Sequence, residues 1–189
     1  MCGRYELDLE IKDLLEYYQL EDQPFHFEAR PEVFPSQLLP VVVSDKQLAL
    51  AKWGLDEPWA KRPIINSRLE TVDEKKTTRQ AFQNQRCIIP ATAFFEWDQY
   101  KVRHRFSSPE EPIQSIAGVY KHYQSKEGGA YLGFSLLTMD ANPQMAPVHE
   151  RMPVVLDKQQ IRPYLDLQTP IHDLKENLLQ LDPAWEIQK

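Results

Sequence analysis

Cysteine is scarce in this chain: 189 residues contain two thiols, Cys2 and Cys87. They are too few and too far apart for a disulfide framework or a paired-cysteine zinc site. Long apolar runs are missing as well. Leu38–Val43 and Leu132–Met139 are strand-length, far short of the roughly 18 residues that cross a bilayer, which excludes a membrane-spanning role. The start, Met1-Cys2-Gly3-Arg4-Tyr5, has neither the basic lead nor the apolar stretch of a signal peptide, and position 2 is not the glycine that myristoylation needs. We expect a cytoplasmic protein. There is no Gly-rich phosphate loop, no GxSxG and no Cys/His metal spacing, so neither a cofactor nor a metal is expected.

What is present is ordinary for a globular chain: 42% hydrophobic, 11% aromatic and 26% charged residues. Without low-complexity segments, repeats or linkers, residues 1–189 read as one domain, expected to act as a monomer. The net charge of -6 is unevenly spread. Residues 1–32 hold nine acids against three bases, whereas residues 60–105 hold ten bases against five acids. A local basic surface on an acidic protein suits a negatively charged partner engaged at one place, although bases scattered over solvated faces would give the same count.

Leu7, Ile11, Leu14, Leu15 and Tyr18 have helical spacing and predict a helix over Leu7–Leu20. Leu38–Ser44 and Gln47–Trp53 read as strands joined at Asp45-Lys46, Ile64–Thr71 as a third strand, and Val72–Asn84 as a polar helix. Further strands are expected over Arg86–Trp97, Ile113–Tyr123, Tyr131–Met139 and Met152–Leu156, with Gly128-Gly129 as a turn. Thr169-Pro170 reads as the cap and first turn of a last helix carrying Ile171, Leu174, Leu178 and Leu181.

Cys2 carries the most chemistry. Trimming of Met1 would leave an α-amine and a thiol on one residue. The amine, with a reference pKa of about 7.7–8.0, is a far better neutral-pH nucleophile than lysine at about 10.4, and the thiol near about 8.5 is poised as well. Together they can close a thiazolidine on an aldehyde carbon; thiol-based acyl transfer is also within reach, and an idle residue in a frayed terminus is the plain alternative. In Ile64–Thr71, alternation puts Asn66, Arg68 and Glu70 on one polar face, either lining a cleft with Arg68 on phosphate or facing water. Phe94-Phe95-Glu96-Trp97 sets a carboxylate among aromatics, where desolvation raises it toward the acid–base range, and Trp97 offers a stacking surface. His149, on the connection before Met152–Leu156, is the best placed of five histidines. Cys87 reads as a buried inert thiol.

Met1-Cys2-Gly3-Arg4-Tyr5, Lys52-Trp53-Gly54-Leu55, Asn66-Ser67-Arg68-Leu69-Glu70-Thr71, Arg86-Cys87-Ile88-Ile89-Pro90-Ala91, Phe95-Glu96-Trp97 and His149-Glu150-Arg151-Met152-Pro153 occur in an order that resembles the SOS response-associated peptidase (SRAP) family. The resemblance implies an α+β fold, a single domain with a mainly antiparallel, barrel-like sheet surrounded by helices. It also implies capture of abasic sites in single-stranded DNA as a thiazolidine crosslink. Carried onto this chain, it makes Cys2 the nucleophile, Asn66 the group that orients the terminus, and Glu96 and His149 the proton-transfer pair. Arg4, Arg68 and Arg151 would hold phosphates, with Trp53 and Trp97 against bases. A thiol peptidase acting through Cys2, and a non-covalent single-stranded DNA module, are the rival readings. Ser67, Lys52 and Ala93 stand where the family more often has alanine, arginine and glycine. The family's further C-terminal strand has no recognisable counterpart in Asp182–Lys189.

Overall fold

The computed structural model describes residues 2–21, 26–44 and 47–189; Met1 and the Asp45-Lys46 connection lie outside them. The elements, in chain order, begin with β1 (Tyr5–Leu7), α1 (Ile11–Tyr18), β2 (Arg30–Val33), β3 (Leu38–Ser44), β4 (Gln47–Trp53) and β5 (Asn66–Arg68). A 3-10 turn over Leu69–Thr71 leads to α2 (Arg79–Asn84), β6 (Arg86–Ala91), β7 (Ala93–Trp97), β8 (Arg103–Ser107), β9 (Gln114–Gln124) and β10 (Ala130–Asp140). The chain ends with β11 (Arg151–Pro153), β12 (Val155–Leu156), α3 (Lys158–Leu165), α4 (Ile171–Leu179) and β13 (Glu186–Gln188).

Strands β10, β4, β3, β6 and β9 close on themselves, because β9 pairs with β10, and so form a five-stranded barrel. Pairing is antiparallel except for β4 and β5, which both run parallel to β10. Closure removes the exposed edges an open sheet would leave. A second sheet, in the order β13-β8-β7-β1-β2, stands beside the barrel. The fold is the α+β class expected. Among the described residues no helix is long and apolar enough to cross a membrane.

The junction of the two sheets is the corner at Thr92. Arg86–Trp97 has the pattern of one strand, but it belongs to two sheets: β6 joins the barrel and β7 the second sheet. Thr92 turns the chain, its N–H donating to Glu6 O at 2.8 Å and its hydroxyl to Glu6 Oε1 at 2.7 Å. Both strands are buried almost throughout, so apolar content shows no break where direction changes.

Several boundaries differ from the sequence expectation, each for a local reason. Leu7 fits a helical stripe yet sits in β1, because α1 starts only at a capping box in which Glu10 N–H donates to Asp13 Oδ2 at 2.9 Å. The strand expected over Ile64–Thr71 is a strand only at Asn66–Arg68, with Ile64 in an isolated antiparallel bridge to Leu55, and of Val72–Asn84 only Arg79–Asn84 is helical. Thr169 does not cap α4; its hydroxyl donates to Pro163 O at 2.9 Å, and Pro170 is the residue at the cap. Helix α3 announces itself in Asp157 and Gln160, a capping box that apolar periodicity does not register. A C-terminal strand, for which Asp182–Lys189 gave no recognisable signal, is present: β13 pairs antiparallel with β8, Ile187 opposite Phe106.

One buried charge ties the helices to the barrel. Arg86, 1% exposed, donates from Nε to Tyr164 O at 2.5 Å, from Nη1 to Phe82 O at 2.8 Å, and from Nη2 to Asp166 O at 2.8 Å. It thereby serves carbonyls of both α2 and α3. Arg86→Ala would leave the Tyr164 and Phe82 carbonyls unpaired at about 1–3 kcal/mol each, while the Asp166 carbonyl keeps the Thr169 N–H at 3.0 Å, a loss of at least ~2 kcal/mol that urea denaturation should register as a lower midpoint with an unchanged slope.

Candidate active site

The front of the chain is buried where the two sheets meet. Cys2 is 2% exposed; its carbonyl accepts from Asn66 Nδ2 at 2.9 Å, and its thiol lies 3.7 Å from the Arg4 carbonyl, to which it donates. Asn66 comes from β5 on the barrel, and Glu96, 5% exposed, from β7 in the second sheet. The Glu96 carboxylate is close enough to act electrostatically on Cys2 and to feel His149, so these four side chains form one cluster.

Its electrostatics depart from the simple reading of Cys2. Burial, reinforced by the Glu96 charge, pushes the Cys2 thiol up to about 12, so at neutral pH it is a protonated thiol and not a poised thiolate. Burial also raises Glu96 above the ordinary carboxylate range, with His149 pulling the other way. His149 accepts the Arg151 N–H at Nδ1, 2.9 Å, which puts the proton of a neutral ring on Nε2. Asn66 Oδ1 is buried with no hydrogen-bond partner among the described residues, an acceptor left open beside Cys2.

Of the predicted phosphate contacts, Arg68 is exposed and lines a cleft of about 210 Å³ together with Asn66, Trp59, Lys75 and Thr78. Arg4 is half-exposed, its guanidinium 4.5 Å from the Phe34 ring and 5.0 Å from that of Trp97, and paired with Glu32 at 3.3 Å. Alternation along β1 and β7 places Arg4 and Trp97 on the face opposite Glu96. A larger cavity, about 370 Å³, lies elsewhere against Tyr17, Gln114 and Trp185 and contains none of the four clustered residues. No three His, Cys, Asp or Glu side chains converge as metal ligands among the described residues.

A family model described as SOS response associated peptidase (SRAP) matches residues 1–188. The chain belongs to the SRAP family. Abasic site processing protein YoqW of Bacillus subtilis (strain 168) is 31% identical to this SRAP chain, over 95% of it and 87% of the relative. Abasic site processing protein HMCES of Xenopus tropicalis is 26% identical over 65% of the chain and 46% of its own length. A solved structure from Bacteroides thetaiotaomicron, 21% identical, superposes with a TM-score of 0.88 over 98% of this chain and 90% of that one, and another from Bordetella bronchiseptica, 24% identical, with 0.83 over 98% of each. These two likenesses establish the fold.

Two residues carried over from the family are not surface groups in this SRAP domain. Trp53 is fully buried, its ring 5.0 Å from Tyr5 and its Nε1–H donating to Ile65 O at 3.1 Å, so it has no face for a base and serves the core. Arg151, 6% exposed, donates to both oxygens of Glu70 at 2.7 and 2.8 Å, to Asp140 at 2.5 Å and to Thr138 O at 2.8 Å. With those donors occupied it holds the His149 loop instead of a phosphate. Trp59, 68% exposed beside Arg68, and Arg103, whose guanidinium lies 4.2 Å from the Phe95 ring, are not singled out by sequence; the only signal for Trp59 is an indole in a loop next to the Asn66 segment.

Burial would raise the Glu70 carboxyl, but its hydrogen bonds from Arg151 override that and hold it below the usual carboxylate range. A depressed folded value adds stability that is fully present above the unfolded value, about 4.3, and is lost as pH falls through the folded value. Glu70→Gln should therefore lower the urea midpoint by a constant amount above about pH 5, and the gap to wild type should close on acidification below about pH 4.

Proposed function

We propose that this SRAP domain captures the ring-opened aldehyde of abasic sites in single-stranded DNA and holds it as a thiazolidine on Cys2 after loss of Met1. The observation that carries the reading is the burial of residue 2 against Asn66 with Glu96 and His149 in electrostatic reach. A terminal residue normally frays, and one enclosed among an amide, a carboxyl and an imidazole is placed for reaction. The names of the relatives, abasic site processing proteins, support the substrate.

The raised thiol orders the steps. The α-amine, with a reference value of about 7.7–8.0, is the first nucleophile and adds to the aldehyde carbon. Water leaves the resulting carbinolamine, its oxygen receiving a proton from Glu96 while His149 Nε2–H donates a hydrogen bond to it, and an iminium remains. The sulfur then adds to the iminium carbon: the S–H proton goes to the Glu96 carboxylate, the C–S bond forms, and the C=N electron pair returns to nitrogen. The net change is loss of one water. Asn66 keeps the terminus in line through the Cys2 carbonyl, and its open Oδ1 is available to a hydroxyl of the opened sugar. Arg68 in the cleft and Arg4 with Trp97 supply cationic and stacking contacts to the strand. The site needs no metal or cofactor in this scheme.

A thiol peptidase reading fits less well, because attack by sulfur first would require the thiolate that burial disfavours. Glu96→Gln and His149→Ala should each slow single-turnover crosslinking by roughly 10²–10⁴, the range for general acid–base groups, while binding of the same oligonucleotide persists. Full-rate crosslinking by both variants would contradict the assignment of proton transfer.

A further inference from the structure

The outward face of the second sheet sets two arginines against one carboxylate, and the scheme above uses only Arg4. Arg4 Nη1 lies 3.3 Å from Glu32 Oε1, and Arg103 Nη1 lies 3.5 Å from the same oxygen. Arg103 stands opposite Trp97 in the pairing of β7 with β8, so the two share a face, and Glu32 comes from β2 at the edge of the sheet. Each guanidinium also rests on rings, that of Arg4 at 4.5 Å from Phe34 and 5.0 Å from Trp97, and that of Arg103 at 4.2 Å from Phe95. These ring contacts hold the cations in place independently of the carboxylate.

The same face offers a completed ion pair for comparison. Glu6 takes Arg105 with both oxygens, Nη2 donating to Oε1 at 2.7 Å and Nε to Oε2 at 2.9 Å, the parallel geometry of a strong guanidinium–carboxylate pair. Glu32 instead divides one oxygen between two arginines, at distances beyond the about 2.7–2.9 Å usual for charged partners. Two cations facing one anion leave a net charge of +1. The Arg4, Arg103 and Glu32 side chains are 36%, 50% and 27% exposed, so an anion from outside can reach them. A phosphodiester has two free oxygens and can give each guanidinium its own acceptor, which the single shared oxygen of Glu32 does not.

We propose that Glu32 is an internal stand-in for a backbone phosphate: in the free protein it sits between Arg4 and Arg103, and a phosphodiester of the bound strand displaces it and takes both arginines. Arg103 is then the second arm of the strand contact begun by Arg4, and Glu32 is the competitor that sets its strength. Displacing Glu32 weakens the hold on every strand alike. A strand without an aldehyde leaves, whereas one with an aldehyde is retained by the covalent bond at Cys2, two residues before Arg4. The inference rests on the crosslinking reading and adds Arg103 and Glu32 to it.

The experiment measures equilibrium binding by fluorescence anisotropy over a series of salt concentrations. The probe is a labelled single-stranded oligonucleotide with one tetrahydrofuran abasic analogue, which has no aldehyde and so reports binding without crosslinking. Wild type is compared with Glu32→Gln, Arg103→Gln, the double variant, and Glu28→Gln, which removes an exposed charge from the same acidic segment. Glu32→Gln should tighten binding about fivefold at low salt, the factor that one unit charge at about 4 Å in water amounts to. Arg103→Gln should weaken binding and flatten the slope of log affinity against log salt by about one. In the double variant the gain from removing Glu32 should shrink to about twofold or less, because one arm of the clamp is gone, and Glu28→Gln should change affinity by less than about twofold.

A Glu32→Gln gain that Glu28→Gln matches, or that persists undiminished without Arg103, is long-range repulsion and overturns the proposal. So does the absence of any gain, with Glu32→Ala repeating the measurement if thermal unfolding shows that Glu32→Gln disturbs the fold. Arg103→Gln that keeps wild-type affinity and salt slope also overturns it, since Arg103 would then only cover the Phe95 ring. The same proteins are incubated with an oligonucleotide carrying a true abasic site. Wild type that forms no adduct there overturns the crosslinking reading itself, whatever the anisotropy shows, which keeps the two failures distinguishable.

Discussion

Everything at the site depends on holding residue 2 inside the protein. The hydrogen bond from Asn66 Nδ2 to the Cys2 carbonyl at 2.9 Å attaches the start of the chain to the barrel, and three residues on, β1 enters the second sheet beside β7. Without both anchors the segment would fray. With them, burial raises the thiol to about 12 and lifts Glu96, so that at neutral pH the sulfur is a thiol and not a thiolate.

The fold supplies this enclosure through the change of sheet at Thr92. Because β6 joins the barrel and β7 the second sheet, Cys2 is reached from both: Asn66 on β5, which pairs with the barrel strand β10, holds its carbonyl, and Glu96 on β7 acts electrostatically on its thiol. Arg151 then secures the other wall, gripping Glu70 within the 3-10 turn and Asp140 at the end of β10 while its N–H fixes the His149 ring. Arg68 and Lys75 line the cleft that Asn66 also lines, and Arg4 and Arg103 lie over the rings of Trp97 and Phe95 on the face of β7 opposite Glu96.

Much of this was legible from residue order. The strands read from largely apolar segments, β3, β4, β9 and β10, appear close to their expected limits, and the α+β class with a barrel follows from the family resemblance. What was not legible has physical causes. A change of sheet inside an unbroken apolar run leaves no mark in periodicity, which hid the corner at Thr92. Strand β8, with Arg103 and Arg105 on one face and His104 and Phe106 on the other, has too many charges to look like a strand, and β13 is a three-residue edge whose pairing comes from β8. Residue type also said nothing about whether a tryptophan or an arginine reaches solvent: Trp53 packs in the core and Arg151 is enclosed by carboxylates, whereas Trp97 and Arg68 are not.

The central claim is that a free α-amine on Cys2 and its adjacent thiol close together on an aldehyde. The direct measurement is the intact mass, with denaturing gels, of Met1-trimmed protein and of protein whose amine is locked in a peptide bond by a retained Met1 or a tag, each incubated with single-stranded DNA containing one abasic site. The account predicts a heat-stable adduct at the summed mass less one water for the trimmed protein and none for the blocked one. Equal crosslinking by the blocked protein, or no heat-stable adduct from the trimmed protein, would contradict it.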